Sequence, residues 1–187
     1  MNKVFDYILN MFPTILISIP IFIIVRIIIY KLYLKIKINW CHEGLLLFLY
    51  IFIIGLLSQA LTGGFSINNF DIKRINVIPF KILVETYQEV FLNNNINYFI
   101  ISFLGNIMMF IPIGLFIPIL FKINNLCVIS IGFCFSLFIE ISQLFLIRSS
   151  DIDDLIFNTL GVSLGVLIVK LLSKKFGKFL NKLKLNK

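Results

Sequence analysis

Long runs of apolar residues, separated by short polar segments, are the main feature of the chain. A membrane-spanning helix needs about 20 mostly apolar residues. Five runs meet this requirement, at residues 12–30, 44–61, 98–121, 126–147 and 155–172. The first run has no small-residue cleavage site and a basic flank follows it, so we predict a retained helix rather than a signal peptide. The pattern predicts an all-α fold, a polytopic membrane helix bundle with about five transmembrane helices.

An amphipathic pattern lies in the polar segment between the second and third runs. Within residues 79–92, Leu83, Tyr87, Val90 and Phe91 recur at helical spacing, and charged or amide side chains occupy other positions. This spacing predicts an outer amphipathic helix that lies on the membrane surface or caps the bundle.

Lysine and arginine are distributed unevenly among the predicted loops. They follow the first run, lie in the turn after the third run, and fill the tail after the fifth. In a five-span topology these three segments share one side of the membrane, and loops rich in Lys and Arg are cytoplasmic. We therefore predict a cytoplasmic C-terminus, with the N-terminus and the other two loops outside. The lysines concerned are Lys31, Lys35, Lys37, Lys122, Lys174, Lys175, Lys178, Lys182, Lys184 and Lys187.

The chain divides into three predicted parts. Residues 1–43 contain an N-terminal transmembrane helix and a basic cytoplasmic loop, and residues 44–172 form the main transmembrane domain. Residues 173–187 mix lysines with Phe176 and Phe179. This mixture predicts a basic amphipathic cytoplasmic tail on the membrane surface.

Composition excludes several classes of protein. Hydrophobic residues make up 59% of the chain and charged residues 14%, against about 45–50% and about 25% in soluble domains. A soluble globular domain is therefore excluded. The net charge is +8, but the topology accounts for the basic excess, so we predict no nucleic-acid partner. Three cysteines are too few for an extracellular disulfide scaffold.

Polar side chains inside the predicted spans mark a candidate site, because they are costly in a membrane. Glu140 lies in the fourth span, and Ser136 and Gln143 share its helix face through i, i+4, i+7 spacing. Asn106 of the third span and Asn158 of the fifth lie at a similar depth. The sequence therefore predicts one polar pocket that opens to the outside.

The loop above this predicted pocket contains Arg148, Asp151, Asp153 and Asp154. Helix capping and the helix dipole offer an equally good explanation for two of the three aspartates. Asp151 and Asp154 are also in a position to hold a divalent cation. The residues leave the need for a metal or cofactor open.

Asp154 begins a stripe along the fifth predicted span. Asp154, Asn158, Gly161 and Gly165 follow at i, i+4, i+7 and i+11. The two glycines form G-x-x-x-G, which permits close helix packing, so we interpret them as packing residues.

We assign provisional roles to eight of these side chains. A desolvated carboxylate suits general acid or base chemistry, and a guanidinium suits a phosphate or carboxylate. The candidate catalytic residues are therefore Glu140, Asp154 and Arg148. The candidate substrate-binding residues are Asn106, Gln143, Asp151, Asp153 and Asn158.

Three blocks of residues resemble the VanZ-like family of small membrane proteins. Residues 76–80 are similar to N-x-I-P-F, and residues 106–114 to N-x-x-x-F-x-P-x-G. Residues 140–161 match E-x-x-Q…R-x-x-D-x-x-D-x-x-x-N-x-x-G, the most specific block. The resemblance covers about residues 44–172. It implies reduced susceptibility to teicoplanin-type glycopeptides, without an established chemical mechanism.

Two main functional hypotheses follow. The first is an integral membrane protein whose outward-facing pocket alters the cell envelope and lowers glycopeptide susceptibility. The second is a membrane enzyme that acts on a lipid-linked phosphate or wall precursor by carboxylate acid/base chemistry. Transport is disfavoured because five helices show no inverted repeat, and a purely structural polar network stays a further alternative. The expected partner is a membrane lipid or lipid-linked envelope precursor, and the oligomeric state is left open.

Overall fold

The computed structural model of the protein describes residues 3–34, 38–61, 66, 70–146 and 148–184. Lys35 and Lys37 of the predicted loop, Ile147 at the end of the fourth run and Lys187 of the tail lie outside these residues. In the described part, five helices are long and apolar enough to cross a membrane, which confirms the all-α, multi-pass helix bundle. They are Met11–Leu32, Trp40–Ala60, Ile96–Leu120, Asn125–Gln143 and Ile152–Lys182.

Helices make up most of the described chain, and two very short strands accompany them. Wider π-helical turns extend α1 and α3 and join α4 to α5, at Tyr30–Leu34, Gln88–Leu92 and Phe99–Leu104. The predicted amphipathic helix is thus α3 with its extension. The elements are α1 (Lys3–Ile29), α2 (Trp40–Ala60), β1 (Ile75–Asn76), α3 (Lys81–Tyr87), α4 (Ile96–Tyr98), α5 (Gly105–Leu120), α6 (Asn125–Gln143), β2 (Ser150–Asp151) and α7 (Ile152–Lys182).

The last helix is longer than the predicted fifth span. α7 has 31 residues, or about 46 Å at about 1.5 Å per residue, whereas the hydrocarbon core of a bilayer is about 30 Å thick. The backbone leaves helical geometry at Phe176 (φ −115°, ψ 19°), so α7 consists of two helical parts joined by a kink. The second part corresponds to the predicted tail helix, and its place on the membrane surface stays a prediction.

Close packing of α5 against α7 forms the centre of the bundle. A Cβ atom added at Gly161 would overlap the carbonyl oxygen of Ile107, and one at Gly165 would overlap that of Ile111. Gly114 of α5 is equally close to Val162 of α7. The predicted packing role of the α7 glycines is therefore confirmed, because only hydrogen fits between these backbones.

The apolar core lies among α2, α5, α6 and α7. Phe110, Ile113, Leu120, Val128 and Val162 are almost completely buried there. α1 is peripheral and packs on α2. The candidate site therefore depends on the four inner helices and not on α1.

The two ends of the bundle differ in what covers them. We call the end with the C-terminus of α2, both strands and the start of α7 the loop end. The tail end contains the start of α2, the turn after α5 and the last residues of α7. At the loop end, β1 pairs with β2 in parallel, with Ile75 opposite Ser150 and Asn76 opposite Asp151. The sequence did not predict this pairing, which joins two of the motif blocks.

Candidate functional site

A polar cavity of about 1000 Å³ opens at the loop end. It lies between the inner helices and the segment that contains β1 and α3. Seven of the eight predicted site residues line it, and Asp153 does not. The seven are Asn106, Glu140, Gln143, Arg148, Asp151, Asp154 and Asn158. Their roles in binding or catalysis stay predictions.

Glu140 connects α6 to the loop above it. Its side chain is buried, at 5% exposure. Its Oε2 accepts a hydrogen bond from the Ser150 hydroxyl at 3.0 Å and one from the backbone N–H of Asp151 at 2.8 Å. Burial of a carboxylate is costly unless such donors compensate it. Glu140 therefore stabilises β2 over the end of α6 while it lines the cavity.

Asp151 caps α7, as the capping interpretation expected. Its Oδ1 accepts from the backbone N–H of Asp153 at 2.9 Å, which satisfies a donor that the first helical turn leaves open. Both carboxylate oxygens also lie near the amide nitrogen of Asn76, at 3.0 and 2.9 Å. Asp151 therefore holds the two strands together by side chain as well as by backbone.

Asp154 and Asn158 bring α7 into contact with the neighbouring helices. The amide of Asn106 donates to Asp154 Oδ1 and also to the Ser102 carbonyl, the latter at 3.0 Å. The amide nitrogen of Asn158 donates to the hydroxyl of Ser136 at 2.9 Å. The Oδ1 atom of Asn158 is buried and has no hydrogen-bond partner among the described residues.

Asp153 serves the scaffold and lies outside the cavity. Its exposure is 0%, and its carboxylate accepts from the backbone N–H groups of Phe80 at 2.5 Å and Ile82 at 2.8 Å. It therefore holds the start of α3 against α7. One residue of helix turns a side chain by about 100°, so Asp153 and Asp154 point in different directions although they are neighbours.

Arg148 lies at the exposed mouth of the cavity. Its Nη1 donates to the carbonyls of Gln59 and Ala60, each at 3.2 Å. These carbonyls end α2, where a cation complements the helix dipole. Among the described residues, no carboxylate lies within ion-pair distance of Arg148.

Several cavity residues were absent from the sequence prediction because they come from the segment between α2 and α5. Lys73, Arg74, Lys81, Glu85 and Tyr98 all line the cavity. Lys81 pairs with Glu85 at 3.3 Å, and the Tyr98 hydroxyl donates to Glu85 at 2.5 Å. The hydrogen bond from Tyr98, assisted by Lys81, lowers the pKa of Glu85 below its ordinary value. The i, i+4 spacing of Lys81 and Glu85 was the available signal.

The predicted divalent-cation site has little support in the side chains present. The structure has no group of three or more His, Cys, Asp or Glu residues arranged to hold a metal ion within the ranges that it describes. Asp151, one of the two expected ligands, already binds Asn76 and the α7 backbone. The arrangement at this end is instead a set of separately hydrogen-bonded carboxylates and amides.

Comparison with known proteins gives one match. The family model described as VanZ/LLP1 matches residues 44–173. No curated protein and no solved structure matches the chain significantly. Every residue that lines the loop-end cavity falls within the matched range, whereas α1 and the end of α7 fall outside it.

Proposed function

Because the chain belongs to the VanZ/LLP1 family, we propose that it acts in the cell envelope and lowers susceptibility to teicoplanin-type glycopeptides. It does so by binding or altering a lipid-linked surface component in the loop-end cavity. The observation that carries the proposal is a polar cavity of about 1000 Å³ inside the matched part of an apolar helix bundle. Polar side chains in membrane spans are costly and mark functional sites.

The charges of the cavity support a ligand that contains phosphate. Lys73, Arg74, Lys81 and Arg148 line it, and such cations bind phosphate through charge-assisted hydrogen bonds. Lipid-linked envelope precursors carry phosphate at the membrane surface. The proposal therefore requires the loop end to face outward, with the N-terminus outside and the C-terminus cytoplasmic.

This orientation is tested by labelling intact cells. In a variant without native cysteines, Ser149→Cys should react with a membrane-impermeant maleimide, and Asn181→Cys should react only after the membrane is opened. Both side chains are exposed, at opposite ends of the bundle. The reverse pattern would place the cavity on the cytoplasmic side and contradict the proposal.

A second candidate function is an enzyme that cleaves or transfers a lipid-linked phosphate group. Glu140 and Asp154 favour it, because both carboxylates line the cavity below its exposed cations. A buried carboxylate can act as general acid or base when it reaches the reacting group. Release of a headgroup or phosphate by purified wild-type protein, and its loss in Glu140→Gln, would favour this function over simple binding.

The main function is tested by drug susceptibility in a sensitive Gram-positive host. Wild type and Asp154→Asn are expressed at equal membrane levels, and teicoplanin and vancomycin are titrated. We expect wild type to protect against teicoplanin and Asp154→Asn to lose that protection. The substitution keeps the oxygen that accepts from Asn106 and removes only the charge, so the fold should persist.

The matched control is Glu89→Gln, because Glu89 lies in the extension of α3 and does not line the cavity. Protection should survive this change. Equal protection by wild type and Asp154→Asn would show that the cavity is not the site of this function. Absence of protection by wild type would reject glycopeptide susceptibility as the function of this chain.

A further inference from the structure

The loop-end cavity has exposed cations at its entrance, one of them paired with Glu85, and buried or half-buried carboxylates at its inner end. Three exposed cations, Lys73, Lys81 and Arg148, come from the loops and from the first residue of α3, and we call them the rim. Glu140, Asp154 and Asn158 come from the spanning helices, and we call them the floor. Glu140 and Asn158 are each only 5% exposed. A ligand that fills the cavity therefore meets positive charge at its entrance and oxygen acceptors at its inner end.

The whole cavity is balanced in charge. Four basic side chains line it, and so do four carboxylates. A purely anionic ligand would satisfy the rim but would bring negative charge to the acidic floor. The complementary ligand carries both a negative and a positive group, with the negative group at the rim and the positive group at the floor. The basic residues are Lys73, Arg74, Lys81 and Arg148, and the carboxylates are Glu85, Glu140, Asp151 and Asp154.

The hydrogen bonds of the floor show what its inner end lacks. Glu140 accepts both its hydrogen bonds on Oε2, and Asp154 accepts from Asn106 on Oδ1. Among the described residues, no bond reaches the second oxygen of either carboxylate, and Asn158 Oδ1 also has no partner. The amide groups of Asn106 and Asn158 already donate within the protein. The floor therefore offers acceptors and needs a donor.

Glu140 is the most informative of these groups. A buried carboxylate is costly unless hydrogen-bond donors compensate it. Its Oε2 has two donors, but its Oε1 has none among the described residues, and the side chain lines the cavity at 5% exposure. A ligand that donates a hydrogen bond at this depth would complete the set of donors.

We propose that the cavity binds a zwitterionic headgroup, with its phosphate at the rim and a primary ammonium at the floor. The inference rests on the proposed function, because it names the chemistry of the component bound in that cavity. An ammonium group has N–H donors and no acceptor, which matches the open carboxylate oxygens of Glu140 and Asp154. A quaternary ammonium lacks the donors, and a hydroxylated headgroup lacks the charge.

Three phospholipids that differ only in the headgroup test this chemistry. Purified full-length protein is reconstituted with equal amounts of phosphatidylethanolamine, phosphatidylcholine and phosphatidylglycerol, and retained lipid is counted by native mass spectrometry. We expect phosphatidylethanolamine to be retained about tenfold over each of the others, equivalent to about 1.4 kcal/mol. Lysyl-phosphatidylglycerol also carries a phosphate and a primary ammonium. We therefore expect it to be retained in preference to phosphatidylglycerol.

The floor is tested by Glu140→Gln, with Glu89→Gln as the matched control because Glu89 does not line the cavity. Glu140→Gln removes a floor charge while it keeps an oxygen for Ser150 and Asp151. It should abolish the preference for phosphatidylethanolamine, and Glu89→Gln should keep it. If Glu140→Gln fails to fold, Asp154→Asn removes the other floor charge while it keeps the oxygen that accepts from Asn106. It should abolish the preference in the same way.

Equal retention of the three lipids would overturn the inference, and so would an unchanged preference in a folded floor variant. Stoichiometric Mg²⁺ or Ca²⁺ on the lipid-free protein would also overturn it, since the floor would then be a metal site. The drug assay reports separately on the proposed function. If the protein prefers phosphatidylethanolamine but gives no protection against teicoplanin, only the proposed function is rejected. If it protects but shows no lipid preference, only the headgroup proposal is rejected.

Discussion

The two ends of the bundle hold buried polar groups in different ways. At the tail end, Arg26 makes two hydrogen bonds to Glu43, at 2.7 and 2.5 Å, and the hydroxyl of Tyr30 adds a third at 3.0 Å. These charges neutralise each other between α1 and α2. At the loop end, Lys81 pairs with Glu85, whereas Lys73 and Arg148 make no ion pair among the described residues and the floor carboxylates keep unused oxygens. Charges that are paired stabilise packing, whereas charges that are separated around a cavity are available to a ligand.

A buried side chain at each end ties α7 to a neighbouring helix. Nε2 of His42 and Oδ1 of Asn158 both lack a hydrogen-bond partner among the described residues. His42 is completely buried, and its other ring nitrogen contacts the Leu183 carbonyl at 2.8 Å, so it anchors the end of α7. Asn158 bonds Ser136 of α6 through its amide nitrogen at 2.9 Å. The two ends are therefore packed in a similar way, and the loop end adds a cavity with open carboxylate oxygens.

The largest expected effect is a loss of stability at the tail end without a loss of function. Glu43→Gln leaves Arg26, whose side chain is 15% exposed, without its counter-ion, and breaking such a pair costs about 3–5 kcal/mol. Thermal unfolding of purified protein should show this loss, while the remaining folded protein keeps its protection against teicoplanin. Glu140→Gln should destabilise the protein less and lose protection. A Glu140→Gln protein that is strongly destabilised but fully protective would contradict the comparison.

A smaller effect on stability is expected from two glycine substitutions in α7, the helix that runs from the loop end to the tail end. Gly161→Ala places a methyl group against the Ile107 carbonyl, and overpacking of this kind costs about 1–3 kcal/mol. Gly177→Ala, in the part of α7 near the tail end, meets nothing within 4 Å and should stabilise the helix by up to about 1 kcal/mol. Unfolding midpoints of the two variants should therefore move in opposite directions. A neutral Gly161→Ala would mean that α5 and α7 separate without cost.

The smallest expected effect is a pH dependence of stability at Glu85, which pairs with the rim residue Lys81. The pKa of Glu85 is lowered in the folded protein from its ordinary value of 4.5. Its contribution to stability is therefore present above that value and is lost as the pH falls through the lower, folded-state pKa. Because the group is partly exposed, we expect less than about 1 kcal/mol. The protection factors of the α3 amides, which are corrected for the intrinsic exchange rate at each pH, should fall in this acidic range, and Glu85→Gln should remove this pH dependence.

Much of the fold follows from local sequence. Runs of apolar residues predicted five spans because the thickness of a bilayer sets the length of a spanning helix. The glycine stripe of α7 predicted close packing because spacing alone places Gly161 and Gly165 on one face. The helix continues beyond the apolar part of the fifth span up to a kink at Phe176, since lysines are good helix formers and do not stop a helix when it leaves the apolar region.

The candidate site was predictable only in part. Helical spacing indicated which face carries Glu140 and Gln143, and the depth of Asn106 and Asn158 placed them beside it. Asp153 was grouped with Asp154 because they are neighbours in sequence, but its carboxylate turns to the start of α3. Lys73 and Lys81 were missed because hydropathy does not indicate where a polar loop folds.

The sequence by itself determined the number of spans, the family and the residues that introduce polarity into the membrane, because these depend on composition, spacing and short motifs. Only the tertiary structure decided which polar groups are satisfied. The pairing of β1 with β2, the docking of α3 on Asp153 and the unpartnered oxygen of Asn158 all depend on segments distant in sequence. A hydrogen bond requires a donor and an acceptor close together in space. Local sequence patterns do not specify which distant segments come into contact.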